Sequence, residues 1–111
     1  MAKNDSYAEY ILYDVLGHID GITSKKMFSG YGIFLDGAIV AIIADGELYF
    51  KADDKLKVKY KKLGCYPFTY DRNGKTVEMS YMSVPADVLE DKEAIKERVY
   101  ESYGVSNKKK K

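Results

Sequence analysis

The sequence predicts an α+β domain: a two-layer antiparallel sheet, made of a meander plus a hairpin, flanked by helices. Three observations carry this. Asp36-Gly37, Asp45-Gly46 and Asn73-Gly74 each sit between β-rich runs, and such dipeptides suit the positive φ angles of type I′ hairpin turns. Apolar residues recur at the helical period before the first turn and after the last. The length of 111 residues and a hydrophobic fraction of 46% fit one globular domain with a modest core.

The first helix is read from Ser6, whose spacing to Glu9 is that of a capping box. Ala8, Ile11, Leu12, Val15, Leu16 and Ile19 then form one apolar stripe. Gly17 and Gly21 offer places to stop, and Tyr10 and Tyr13 project away from the stripe as ordinary amphipathic tyrosines.

Residues 24–52 read as an antiparallel meander. Two-residue turns would pair Phe34 with Ile39, Ile43 with Leu48 and Ala41 with Phe50 on one face, with small Gly32 beside them. The opposite face then carries Tyr31, Ile33, Leu35, Val40, Ile42 and Tyr49. Both faces are apolar, whereas an antiparallel sheet with one wet face should alternate apolar and polar residues. A covering element or partner is therefore expected on each side.

Asp53 or Asp54 caps a second helix that ends at Gly64. Leu56, Tyr60 and Leu63 would dock on the sheet, while Lys55, Lys59 and Lys62 repeat the same spacing on an adjacent face, joined by Lys57 and Lys61. In the second hairpin, the Asn73-Gly74 turn would pair Tyr70 with Val77, Phe68 with Met79 and Tyr66 with Tyr81 on a buried face. Thr69 with Glu78 and Pro67 with Ser80 take the wetter one. Pro85 starts a helical turn through Leu89. Asp91 caps a last helix with Ile95, Val99 and Tyr103 that stops near Gly104. The expected organisation is one domain over residues 4–104 and a basic disordered tail over 105–111.

The chain holds 18 basic and 17 acidic residues. Without Lys108, Lys109, Lys110 and Lys111 the basic count falls to 14, so the body carries about −3 and the basic end reads as a solvated tail. A single cysteine excludes an internal disulfide and, with no signal peptide or apolar span of membrane length, suggests a cytoplasmic protein with no membrane partner.

Catalytic chemistry finds little support. The lone His18 and lone Cys65 exclude a multi-ligand His/Cys metal site, and a nucleophile–base pair would have to bring these two together. The plain reading of Cys65 is a half-buried thiol before a strand. Asp53-Asp54 and Glu90-Asp91 fall at helix starts, where capping explains them. The glycines of Ser29-Gly30-Tyr31-Gly32 lack the strand-to-helix context and Gly-Lys ending of a P-loop; a bulge or close backbone approach accounts for them better. Sheet aromatics can stack bases, but the sequence spreads its tyrosines over all elements. No catalytic residue, metal site or cofactor is expected.

The segment Met27-Phe28-Ser29-Gly30-Tyr31-Gly32-Ile33-Phe34-Leu35-Asp36-Gly37 resembles the opening of the N-terminal domain of TfoX/Sxy-type competence regulators. The resemblance continues through Ala41-Ile42-Ile43-Ala44-Asp45-Gly46-Glu47-Leu48-Tyr49-Phe50-Lys51, then Pro67-Phe68-Thr69-Tyr70, Gly74-Lys75, Met79-Ser80-Tyr81-Met82, and residues 85–91. It covers about residues 6–103 and implies a secretion-chaperone-like two-layer α+β fold. It also implies a link to transcription regulation of DNA-uptake genes, beside the cyclic-AMP receptor protein. Longer members add a C-terminal helical domain; the sequence ends before any such domain, so autonomous DNA binding is not carried over.

The functional expectation is a non-enzymatic regulatory module acting through protein–protein contacts, with itself as a homodimer or with the transcription machinery. The candidate interface is Tyr31, Ile33, Val40, Ile42 and Tyr49. The alternative is direct nucleic-acid binding by Lys55, Lys59, Lys62 and the terminal lysines.

Overall fold

A computed structural model describes residues 3–27, 30–44 and 46–108. Helix α1 (Lys3–Glu9) continues directly as a π-helical segment, Tyr10–Val15. Strands β1 (Ile22–Met27), β2 (Gly30–Leu35), β3 (Ala38–Ala44) and β4 (Glu47–Lys51) form the meander. Helix α2 (Asp54–Lys62) crosses to β5 (Pro67–Arg72) and β6 (Lys75–Ser83), followed by α3 (Ala86–Leu89) and α4 (Lys92–Lys108). The six strands are antiparallel in the order β1-β2-β3-β4-β6-β5, so the α2 crossover leaves β5 at an edge and seats β6 beside β4.

The α+β class is as expected. The expected turns also hold where they are described. Asp36 and Gly37 have φ of 50° and 86°, and Asn73 and Gly74 have 53° and 80°, the positive pair a type I′ turn demands. Asp45 lies outside the described residues.

Local signals mislead at both ends. The first helix already runs through Ser6, so Ser6 does not cap it. The amide of Leu16 donates to the carbonyl of Ile11 at 2.8 Å, a five-residue span that widens the helix and seats Ile11, Val15 and Leu16 in the core. At the other end α4 passes through Gly104 and continues to Lys108. Val105 and Ser106 are buried, and the Ser106 hydroxyl donates to the Ile39 carbonyl. Residues 105–108 are therefore helix rather than disordered tail; Lys109, Lys110 and Lys111 lie outside the described residues. Tertiary contact outweighs the roughly 1 kcal/mol penalty of one helical glycine.

The helices share one face of the sheet. Ala8, Ile11, Val15 and Leu16 from the first helix and Ile95 and Val99 from α4 pack on Ile33, Leu35, Val40, Ala41, Ile43, Leu48 and Phe50. Beside this core, Leu56 and Tyr60 of α2 meet Ala52, Cys65 and Met82. Asp53 caps α2 as expected, accepting from the Leu56 amide at 3.0 Å. Leu63, expected to dock, instead terminates the helix and is 63% exposed.

A bulge decides which meander residues face the helices. All three expected pairs form: Phe34 with Ile39, Ala41 with Phe50, Ile43 with Leu48. Between them the β2–β3 register shifts, because Ile33 opposes Ala41 while Phe34 opposes Ile39, leaving Val40 without a partner. One extra residue reverses the alternation beyond it. Tyr31, Ile33, Leu35 and Val40 thus join Ala41 against the helices, and Phe34 and Ile39 move to the other face. The second hairpin slips as well: Tyr70 opposes Val77 and Thr69 opposes Glu78 as expected, but Pro67 opposes Met82 rather than Ser80.

Candidate functional site

The helix-free face of the sheet gathers apolar and aromatic side chains from five strands. Alternation from the observed pairs places Gly32 and Phe34 of β2, Ile39, Ile42 and Ala44 of β3, and Tyr49 and Lys51 of β4 on it. From β6 come Met79 and Tyr81, and from β5 Phe68 and Tyr70. Most of these side chains are half-buried, since they shield one another without a second layer above them.

Glycine shapes the β2 side of this face. A Cβ on Gly32 would lie 2.7 Å from the Met27 sulfur and 3.2 Å from the Phe34 ring, so the missing side chain is what lets Met27 fold over the strand. Met27, Tyr31, Ile39, Ile42, Ala44, Phe68, Met79 and Tyr81 then enclose a largely apolar recess of about 240 Å³.

The β4–β5 side is aromatic and wetter. The Tyr49 ring meets Phe68 edge-on at 5.2 Å and Tyr66 at 6.3 Å between centroids. Glu47 holds both hydroxyls: Tyr49 donates to it at 3.2 Å and Tyr66 to its other oxygen. That hydrogen bond to a carboxylate, aided by partial burial, pushes the Tyr66 phenol up to about 12. The Lys51 ammonium lies 5.8 Å from the Tyr81 ring centroid, a cation–π distance.

The expected site residues divide. Ile42 and Tyr49 are on the uncovered face. Ile33 and Val40 are fully buried beneath the helices, and Tyr31 packs against the same core while edging the recess. The candidate interface as one surface is therefore corrected: the bulge at Val40 takes three of its five residues to the core side. Phe34, Ile39, Phe68 and Met79 replace them. The hairpin pattern had grouped Phe68, Met79, Tyr70 and Tyr81, but as a buried face, because alternation alone does not say which side the helices choose.

The lysine stripe of α2 is largely engaged. Lys59 pairs with Glu101 at 3.0 Å, and Lys57 and Lys61 reach Glu78 at 3.5 and 3.6 Å. Lys55 and Lys62 are exposed. His18 and Cys65 are held by different neighbours: the imidazole Nε2 lies 3.3 Å from the Lys92 carbonyl, while the thiol sits 3.8 Å from Arg98 Nη2. Among the described residues no group of three His, Cys, Asp or Glu is arranged to hold a metal ion, and no helix is long and apolar enough to cross a membrane.

One buried cluster has no counterpart in the sequence reading. Arg98, 5% exposed, stacks 3.6 Å above the Tyr60 ring, and the Tyr60 hydroxyl donates to Glu101. Burial, then the bond to Glu101, raises the Tyr60 phenol well above its ordinary value. The available signal was position: Arg98 follows Ile95 by three residues and adjoins Val99, within the apolar arc of α4.

A one-sided antiparallel sheet with this glycine-shaped meander defines a small α+β class. The chain belongs to the TfoX N-terminal domain family, whose model matches residues 14–106. It is 24% identical over 89 residues to the DNA transformation protein TfoX1 of Aliivibrio fischeri, covering 80% of this chain and 42% of that relative. It is 29% identical over 72 residues to the DNA transformation protein TfoX of Haemophilus influenzae, covering 64% of this chain and 33% of that relative. The chain thus spans less than half the length of either.

Proposed function

We propose that this domain is a non-enzymatic, cytoplasmic regulatory module of the DNA-transformation type that works through protein–protein contacts at the uncovered sheet face, with a second copy of the chain as its first partner. The observation that carries this reading is the seat of Phe34, Ile39 and Ile42: three large apolar side chains, half-buried, on a face that none of the described helices covers. An isologous dimer would bury the same patch on both copies, and the Met27–Ile42 recess offers a socket for a partner side chain. The relatives' names supply the process, and transcription machinery is the partner class proposed for the assembled dimer.

Sedimentation equilibrium tests it. A dimer is expected at tens of micromolar, and Ile42→Lys should yield a folded monomer, because a charge at a half-buried face position breaks the contact without entering the helix-covered core. A wild-type monomer across that range overturns the dimer. Val40→Lys is unsuited to this test, since Val40 is core.

The nucleic-acid reading through Lys55, Lys59 and Lys62 is the weaker one, because Glu101 neutralises the middle lysine.

A further inference from the structure

The sheet ends at β1, and among the described residues that edge is open. β1 pairs with β2 on one side and has no strand on the other. The Asp36 amide donates to the Gly21 carbonyl at 3.1 Å, one step before Ile22 opposite Leu35 in the same register. In an antiparallel ladder a bonded pair of this kind alternates with one whose amides and carbonyls face away. Thr23 and Lys25 therefore turn their backbone groups to β2, while Ile22, Ser24 and Lys26 offer theirs outward. No described residue takes up these outward groups. The opposite edge is less suited to pairing, because β5 begins at Pro67, which has no amide, and its register shifts before Thr69.

A groove lies beside the open edge. Leu12, Tyr13, Leu16 and Ile19, from the first helix and the turn after it, line about 320 Å³ together with Ile22 and Ser24 of β1. Ile22, Ser24 and Lys26 belong to the helix-covered face, because they oppose Leu35, Ile33 and Tyr31. Alternate side chains of a strand added to β1 would therefore point toward this groove. Tyr13 is 75% exposed, an aromatic wall left in water.

Charge divides along the edge. Lys25 and Lys26 are exposed at the far end of β1, and neither has an ion pair among the described residues. The exposed Asp14 and Asp20 adjoin the groove residues Tyr13 and Ile19 in the chain. Acidic groups are attracted at the lysine end, and the groove suits uncharged side chains.

We infer that β1 is a docking edge for an extended segment of a partner protein, which adds as a further strand with apolar side chains in the Leu12–Ile22 groove and acidic ones beside Lys25 and Lys26. Main-chain bonds to Ile22, Ser24 and Lys26 give affinity, and alternate side chains give selectivity. In antiparallel pairing the residue opposite Ser24 and the second one after it are apolar. The two before it, opposite Lys25 and Lys26, are acidic. Parallel pairing reverses that order. A second copy of β1 is the poorer occupant, since it would crowd the lysines of both copies onto adjacent strands. The edge is separate from the Phe34, Ile39 and Ile42 patch, so this inference goes beyond the dimer reading.

Fluorescence anisotropy on the full chain tests it, with labelled Ser-Glu-Glu-Val-Thr-Val-Ser, the same peptide in reverse order, and a Lys-Lys version of each. Binding of one Glu-Glu peptide is expected, and its order gives the strand direction. The matching Lys-Lys peptide should bind at least about tenfold more weakly. Ser24→Pro removes an outward amide but no bond to β2, so it should fold, as prolines on edge strands do, and weaken binding about tenfold. Lys25→Glu with Lys26→Glu should shift the preference to the Lys-Lys peptide. Circular dichroism checks the fold of each variant.

Ile42→Lys, which removes the proposed dimer contact, should bind the peptide as the wild type does, so failure of the dimer and failure of the edge are read separately. Absence of binding of both Glu-Glu peptides by the folded wild type up to about 1 mM overturns the proposal. Equal affinity for the Lys-Lys peptides, or equal binding by folded Ser24→Pro, overturns it too. A change of oligomeric state in Ser24→Pro assigns the edge to a second copy, which also overturns it.

Discussion

The guanidinium of Arg98 lies flat on the ring of Tyr60, 3.6 Å from its centroid, and so joins α4 to α2 across the second core cluster. A planar cation stacks there and a point charge does not. Arg98 Nη1 has no hydrogen-bond partner among the described residues, so the stack is its main compensation for burial. Arg98→Lys should lower stability by about 1–3 kcal/mol, the scale of a desolvated cation–π contact and a misplaced buried charge. Urea denaturation reads this as a lower midpoint at unchanged slope.

The last turn of α4 is a structural element rather than an appendage. Removing residues 105–111 deletes the buried Val105 and the Ser106 hydrogen bond to Ile39. The expected loss is about 2–4 kcal/mol, from one buried valine and one hydrogen bond. Removing only 109–111 should be neutral. Equal stability of the two truncations by thermal melting would contradict the placement of α4 on β3.

The two meander glycines should respond differently to a methyl group. A Cβ on Gly30 runs into the Ile43 carbonyl, which belongs to the neighbouring strand and cannot yield without opening the β2–β3 ladder. On Gly32 it meets the end of the Met27 side chain, which can swing away. Gly32→Ala should cost about 1–2 kcal/mol as mild overpacking. Gly30→Ala should cost more and lower soluble yield; denaturation midpoints of the two variants compare them directly.

Alkaline pH should destabilise the domain through its tyrosines. The Tyr66 phenol is held at about 12 by Glu47, and burial raises those of Tyr60, Tyr7 and Tyr81. The unfolded chain releases these protons near pH 10, while the folded state keeps them. Stability is therefore full below about pH 10 and declines as pH rises toward 12. Denaturation at pH 9 and 11 should show the drop. In absorbance titration at 295 nm, Tyr66→Phe should remove one late-titrating phenol.

The turns, the α2 cap and the core pairs were legible in the sequence because each depends on a few adjacent residues. Asp36-Gly37 demands positive φ, Asp53 answers the Leu56 amide three residues on, and Ala41 opposite Phe50 follows from the turn between them. The faces were not legible. Val40 is one more apolar residue in an apolar run, and nothing local marks it as unpaired; yet its bulge sends Ile33 and Val40 to the core and Phe34 and Ile39 to the outside. For the same reason the tyrosines read as scattered, although the fold brings Tyr49 of β4 against Tyr66 and Phe68.

The sequence by itself determined the α+β class, the turns at Asp36-Gly37 and Asn73-Gly74 and most residues of the helical stripes, since these rest on short-range geometry and period; the β1–β2 hairpin carried no such turn signal. Only the tertiary structure decided which sheet face the helices cover, where α4 ends and which lysines are neutralised. Those outcomes depend on a one-residue register shift and on contacts between residues far apart in the chain, as between Ser106 and Ile39 or Lys59 and Glu101. Such contacts add free energy comparable to the local preferences they override, and no window of neighbouring residues contains them.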